Sequence, residues 1–229
     1  MTSLSAKVSR LVISALALAY SCGGGIADTR APADGTVDAL DATVAIVNAE
    51  GYSFCAGVFV GHYVVTAQHC VGNNATVQVG LYRDWNHKNW TRSVKFSVAH
   101  VDDVQDLAIL SPAEVLSDDS HSSVHLAEAP PFYGQQVVVI GHPLGLVYSI
   151  VDGVVSSPER DMGPFDEMVW FQISAPVSPG NSGGPVLNRW GELLGVVSFR
   201  LISRQGSEAH LGGAVHWLTI RSALGSVVE

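Results

Sequence analysis

From residue 40 onward the chain is a succession of short, β-rich apolar runs broken by turn residues, with no long amphipathic helix between them. In the first half the candidate strands are 42–48, 56–66, 75–81, 91–98 and 107–111. In the second they are 136–141, 149–157, 168–175, 184–188, 193–200 and 212–215. Short strands without covering helices must bury one face against each other, so the pattern predicts an all-β sandwich or barrel. Only 216–224 reads as a helix, short and placed to close the domain. The Pro-rich stretch Ala129-Pro130-Pro131-Phe132 falls between the halves and reads as a connector. Hydrophobic residues make up 47% of the 229 and charged ones 14%, which predicts a sizeable core and excludes disorder over most of the length. The net charge of −9 argues against nucleic acid as a partner, because phosphates would repel it.

The N-terminus has the layout of an export signal over 1–21. Lys7 and Arg10 supply the positive start, 11–19 is an apolar run too short to span a bilayer, and Ala19-Tyr20-Ser21 offers small residues for cleavage. Cys22, trailed by Gly23-Gly24-Gly25, resembles a bacterial lipobox, whose cysteine is lipidated and becomes the new N-terminus. Such sequences usually have Leu where this chain has Ala19. Lipidation would attach the protein to a membrane of the bacterial cell envelope, periplasmic or outer; the alternative is plain secretion with a free thiol. Residues 22–40 are rich in Gly, Ala, Asp and Pro and read as a flexible tether, leaving 41–229 for the folded domain. There are three cysteines, so one is odd. If Cys55 pairs with Cys70, the leftover is Cys22; the alternative is two buried free thiols. The pairing would contribute roughly 3 kcal/mol in the chain-entropy model and needs an oxidising compartment.

Chemistry concentrates in Gly180-Asn181-Ser182-Gly183-Gly184-Pro185. Glycines beside a serine remove the Cβ atoms that would block its hydroxyl from a substrate carbonyl. They also let successive N–H groups turn toward one point, where an oxyanion could form. An ordinary Gly-rich turn would look the same, so the rest of the chain must decide. A serine needs a base to take its proton. Among nine histidines, His69 stands at the end of the strand-like run Val64-Val65-Thr66-Ala67-Gln68 and immediately before Cys70. The base needs a carboxylate to fix its tautomer. Asp106 opens the apolar run Leu107-Ala108-Ile109-Leu110, where a carboxylate is costly unless partnered. Asp102 and Asp103 precede no apolar run directly and read as solvated loop charges.

Thr66-Ala67-Gln68-His69-Cys70, Asp106-Leu107-Ala108-Ile109-Leu110 and Gly180-Asn181-Ser182-Gly183-Gly184-Pro185 stand in the order His, Asp, Ser. Together they resemble the chymotrypsin/trypsin-like serine endopeptidases. Val139-Ile140-Gly141-His142-Pro143-Leu144-Gly145-Leu146 and Gly191-Glu192-Leu193-Leu194-Gly195-Val196 look like the bacterial HtrA (Deg) branch. The resemblance covers roughly 40–220 and implies two six-stranded β-barrels, here approximately 41–128 and 132–215. By position it implies Ser182 as nucleophile, His69 as general base and then acid, Asp106 as orienting carboxylate, and the N–H groups of Gly180 and Ser182 as oxyanion hole. It implies protein or peptide substrates and no cofactor. The primary pocket would come from 175–178 and 198–200, with Ala175, Ser198, Phe199 and Arg200 as candidate lining. No Asp lies in 174–179, so a preference for Lys or Arg is not expected; small or medium apolar side chains fit, or an acidic one if Arg200 pairs with it. Many HtrA proteins carry a PDZ domain after the protease, and the expectation here is none. No Ile-Val-Gly-Gly start of the zymogen type is visible.

The remaining histidines have plainer expectations. His121 and His125 are four apart but follow the loop-like Ser117-Asp118-Asp119-Ser120 without an evident third ligand, so no metal site is expected. His142 reads as decorating a turn, and His210 and His216 as surface or cap residues. Trp85 and Trp90, with His87 between them, read as cover for one barrel. Two other functions share these residues: an inactive protease-like binding or adhesion module, and an esterase using the same three side chains.

Overall fold

A computed structural model describes residues 34–47, 53–81, 92–116, 121–160, 167–202 and 208–228. The export signal, Cys22, Trp85, His87 and Trp90 lie outside the described residues, as does the side chain of His210. The all-β expectation holds: two closed, six-stranded antiparallel barrels are followed by a short C-terminal helix.

The first barrel is built from β1 (Thr43–Val47), β2 (Ser53–Val60), β3 (Tyr63–Thr66), β4 (Thr76–Leu81), β5 (Arg92–Asp102) and β6 (Leu107–Pro112), joined in the order β1-β2-β3-β6-β5-β4. The second contains β7 (Gln136–Gly141), β8 (Ser149–Arg160), β9 (Trp170–Ile173), β10 (Pro185–Leu187), β11 (Leu193–Ile202) and β12 (Glu208–His216), in the order β10-β11-β12-β9-β8-β7. Closure leaves no free sheet edge, which is how short strands avoid pairing with other chains. The single strand expected over 56–66 is a hairpin: the chain turns at Gly61 and His62, and Val60 pairs with Tyr63. Unbroken apolar character on both sides of a two-residue turn hid the break.

Two helices frame the barrels. The end of the stretch expected as tether is helical, as α1 (Asp34–Ala42), with Ala39 and Ala42 fully buried. Small apolar residues let it dock where a Gly- and Pro-rich composition suggested none would. The C-terminal α2 (Trp217–Val228) buries Trp217, Ile220 and Ala223, and Arg221 stacks over Trp217 while donating to the Ala127 carbonyl.

Strand alternation assigns the core. On β7, Val137 and Val139 point into the second barrel with Phe171, Ile173 and Leu194. Ile140 joins the larger cluster that contains Phe59, Phe96 and Leu107 of the first barrel. Leu193 and Val196 of β11 belong to that same cluster. The second barrel therefore presents apolar side chains on both faces of β7 and β11, one face inward and the other toward its neighbour.

Candidate active site

The first barrel supplies the imidazole and the carboxylate. β3 ends at Thr66, and a one-turn 3-10 helix, Gln68–Cys70, carries His69 out of the sheet. A disulfide joins Cys70 to Cys55 on β2, with Cα atoms 5.9 Å apart, and anchors that turn. Asp106 immediately precedes β6, whose first residue Leu107 is fully buried. The Asp106 backbone is left-handed, at φ +51°, a region a non-glycine residue holds only when its surroundings over-determine it.

Those surroundings are a set of hydrogen bonds. His69 N–H donates to Asp106 Oδ1 at 2.9 Å, and Gln68 N–H donates to the Asp106 carbonyl at 3.1 Å. His69 Nδ1 lies 2.9 Å from Oδ2 and 3.1 Å from Oδ1. Ser198 of the second barrel donates its hydroxyl to Oδ2. Burial alone would raise the Asp106 carboxyl, but the bonds from His69 and Ser198 more than offset it and hold the group below the usual carboxylate range. The carboxylate is 18% exposed and the imidazole 46%, so the pair opens to solvent on the histidine side. Asp102, by contrast, turns its carboxylate onto the N–H groups of Val104 and Gln105 and caps the loop.

The second barrel supplies the serine loop between β9 and β10. Gly183 has φ +77°, and a Cβ there would clash with Thr66 Oγ1 and the Ala56 carbonyl of the first barrel. Only glycine lets the loop seat this closely. Ala56 N–H donates to the Ser182 carbonyl at 2.8 Å, and Cys70 Sγ lies 3.7 Å from the same oxygen. Ser182 thus sits against the residue next to His69, although no hydrogen bond joins Ser182 to His69 among the described residues. Such bonds are often absent until substrate binds. Asn181, Gly183 and Gly184 spend their N–H groups within the protein, on Ser178, Val197 and Asn181 carbonyls. Gly180 and Ser182 donate to nothing among the described residues, which leaves their two N–H groups unspent on either side of Asn181.

His142 supports this loop from behind. Its N–H donates to the Gly180 carbonyl, and Leu144 N–H donates to the Pro179 carbonyl. It stands at a turn, just before the 3-10 helix Pro143–Gly145, and is fully buried there. Tyr148 N–H donates to Nδ1 at 3.2 Å, so Nε2 carries the proton and donates to the Val44 carbonyl of β1 at 3.1 Å. Burial lowers its pKa to about 4 and keeps the ring neutral. His216, expected as a surface or cap residue, immediately precedes α2 and accepts at Nδ1 from Leu218 N–H at 3.4 Å, but it is buried; burial depresses it, partly countered by Glu159.

Beside Ser182 is a cleft of about 210 Å³ lined by Val177, Ser178, Pro179, Val197, Phe199 and Arg200. Phe199 and Arg200 stand where the sequence put them. Ala175 and Ser198 do not line it: Ala175 is buried in the second barrel's core, and Ser198 turns to Asp106. The reason is a β-bulge, since Val197 pairs with Ala214 and Phe199 with Gly213, leaving Ser198 unpaired and re-aimed. A lone serine within Val196-Val197-Ser198-Phe199 was the available signal.

His121 lies against the Phe59 ring, with Nε2 3.2 Å from the Gly61 carbonyl, and His125 is exposed. Among the described residues, one group has metal-holding geometry, Cys55, His69 and Cys70, and its two sulfurs are spent in the disulfide.

Comparison with known proteins agrees with this geometry. Residues 46–196, more than half of the chain, match the family model of the trypsin-like peptidase domain. The chain is similar to the proteins named serine protease HtrA-like of Staphylococcus aureus strains USA300 and NCTC 8325, at 31% identity over 150 residues. The match takes in 61% of this chain but only 18% of each relative, so the chain spans less than a fifth of their length.

Proposed function

Because the chain belongs to the trypsin-like peptidase family, we propose that it is an exported serine endopeptidase that cuts through Ser182, His69 and Asp106. The observation that carries this reading is the His69–Asp106 pair, set one residue from the disulfide sulfur that touches the Ser182 carbonyl.

His69 gives Nδ1 to Asp106, which leaves Nε2 to exchange protons. Ser182 Oγ attacks the carbonyl carbon of the scissile bond as His69 takes its proton. The oxyanion draws on the unspent N–H groups of Gly180 and Ser182, and losing one such donor typically costs about 10²–10³ in rate. Collapse of the tetrahedral species breaks the C–N bond, and His69 returns the proton to the leaving amine. Water then attacks the acyl-enzyme by the same steps in reverse, releasing the acid and restoring Ser182. Asp106 stays ionised throughout, consistent with its lowered pKa.

A cleft of about 210 Å³ with Val177, Val197 and Phe199 in its wall favours a small or medium apolar side chain before the cut. With no acidic residue in that lining among the described residues, Lys and Arg are disfavoured. On the same reading, 1–21 directs export and Cys22 carries a lipid anchor; Cys22→Ser should then abolish a mass increase and detergent partitioning.

A fluorophosphonate probe tests the enzyme reading. It should label the parent and fail to label Ser182→Ala. Folded, oxidised parent that resists the probe would make the chain a binding module, and ester turnover without peptide turnover would make it an esterase.

A further inference from the structure

Gln105 stands beside Asp106 and reaches from the first barrel to the segment leading into β9. Its side-chain Nε2–H donates to the Glu167 carbonyl at 2.9 Å, and its Oε1 accepts from Val169 N–H at 3.1 Å. Both ends of one amide are therefore spent on two backbone groups two residues apart. The backbone N–H of Gln105 is itself held by Asp102 at 2.9 Å. The next residue after Val169 is Trp170, whose ring meets Phe199 edge-on with centroids 4.8 Å apart. Phe199 in turn lines the cleft beside Ser182.

The Asp106 carboxylate must satisfy partners from both barrels at once, His69 from the first and Ser198 from the second. A small slip of the Asp106 turn relative to β11 would lose one of them. Its left-handed backbone gives that turn a reason to relax. Gln105 is the adjacent side chain that ties the same turn to the second barrel. We propose that Gln105 is a positioning residue for catalysis: its bidentate grip on 167–169 fixes the Asp106 turn so that one carboxylate engages His69 and Ser198 together. The inference rests on the catalytic reading of Ser182, His69 and Asp106. Gln105 touches no substrate atom in this scheme, so its loss should act on turnover and not on binding.

The test uses Gln105→Met, which keeps the length and packing of the side chain but makes neither bond, with Gln105→Ala beside it. Turnover of an apolar p-nitroanilide peptide should show kcat reduced about tenfold and KM changed less than about twofold. The downfield proton resonance of His69 Nδ1–H, which reports its bond to the carboxylate, should move upfield in both variants. Parent kcat and an unmoved resonance in a folded Gln105→Met would overturn the assignment. So would a loss of activity that follows only the fraction unfolded, with the resonance unchanged in what remains folded. Ser182→Ala is measured alongside. Turnover surviving there defeats the catalytic reading itself, whereas an inactive Ser182→Ala with an unaffected Gln105→Met defeats only the role of Gln105.

Discussion

Acid should unfasten this protein through His142, and the size of the effect follows from its burial. In the unfolded chain an imidazole takes up a proton near pH 6.5, whereas His142 in the fold resists it until about pH 4. Between those values the unfolded state binds one more proton, so stability rises with pH across that window. The contribution is complete above about pH 6.5 and is lost as pH falls toward 4. At about 1.4 kcal/mol for each pKa unit, the loss is roughly 3 kcal/mol. The cause is burial, which denies the charged ring its water; a proton on Nδ1 would also set one N–H against the Tyr148 N–H that donates there now. Urea unfolding of the parent and of His142→Gln between pH 7 and pH 4 isolates the term. At pH 7 the variant should be less stable by about 1–3 kcal/mol, for lost buried hydrogen bonds. Toward pH 4 the gap should close, because only the parent carries this linkage. Titration of His216, also depressed, is common to both proteins and cancels. A stability gap that stays constant with pH would refute the reasoning.

Three further outcomes follow from the site. Gly183→Ala must push the serine loop off Thr66 and Ala56, and thermal unfolding should show a loss of about 2 kcal/mol or more; an unchanged Tm would disprove the close seating. Ser198→Ala removes one hydrogen bond from Asp106, so kcat/KM should fall roughly 3- to 10-fold without loss of fold, measured on a peptide ester and an anilide. Reducing the Cys55–Cys70 bridge opens a loop of 15 residues. It should lower unfolding free energy by about 3 kcal/mol in denaturant titrations with and without thiol.

Local pattern was enough for most of the strands, because each short apolar run between turns has to be buried on its own. It also pointed to Ser182, His69 and Asp106, whose neighbours mark them: glycines, a strand end before a cysteine, and the mouth of an apolar strand; the fold pairs His69 with Asp106. What the sequence concealed is contact at a distance. Nothing near Ser198 announces Asp106 as its partner, because a bulge re-aims that side chain and bulges leave little trace in composition. Gln105 looks like any loop glutamine until residues 167–169 arrive beside it. His142 read as a turn residue between Gly141 and Pro143, and only packing of the two barrels buries it there. The missed hairpin at Gly61 and the helix at Asp34–Ala42 failed for another reason, since composition misled where geometry decided.

The bulge on β11 carries a consequence for how such a protein can change. One three-residue stretch serves two masters: Val197 and Phe199 shape the cleft wall, while Ser198 between them grips the carboxylate. A substitution that reshapes the wall to admit a new side chain also shifts the backbone that holds the carboxylate's partner. Laboratory selection for altered preference should therefore find its cheap solutions at Val177, which lines the cleft but lies off that strand. Changes at Phe199 should surface late, together with second-site repairs that restore turnover.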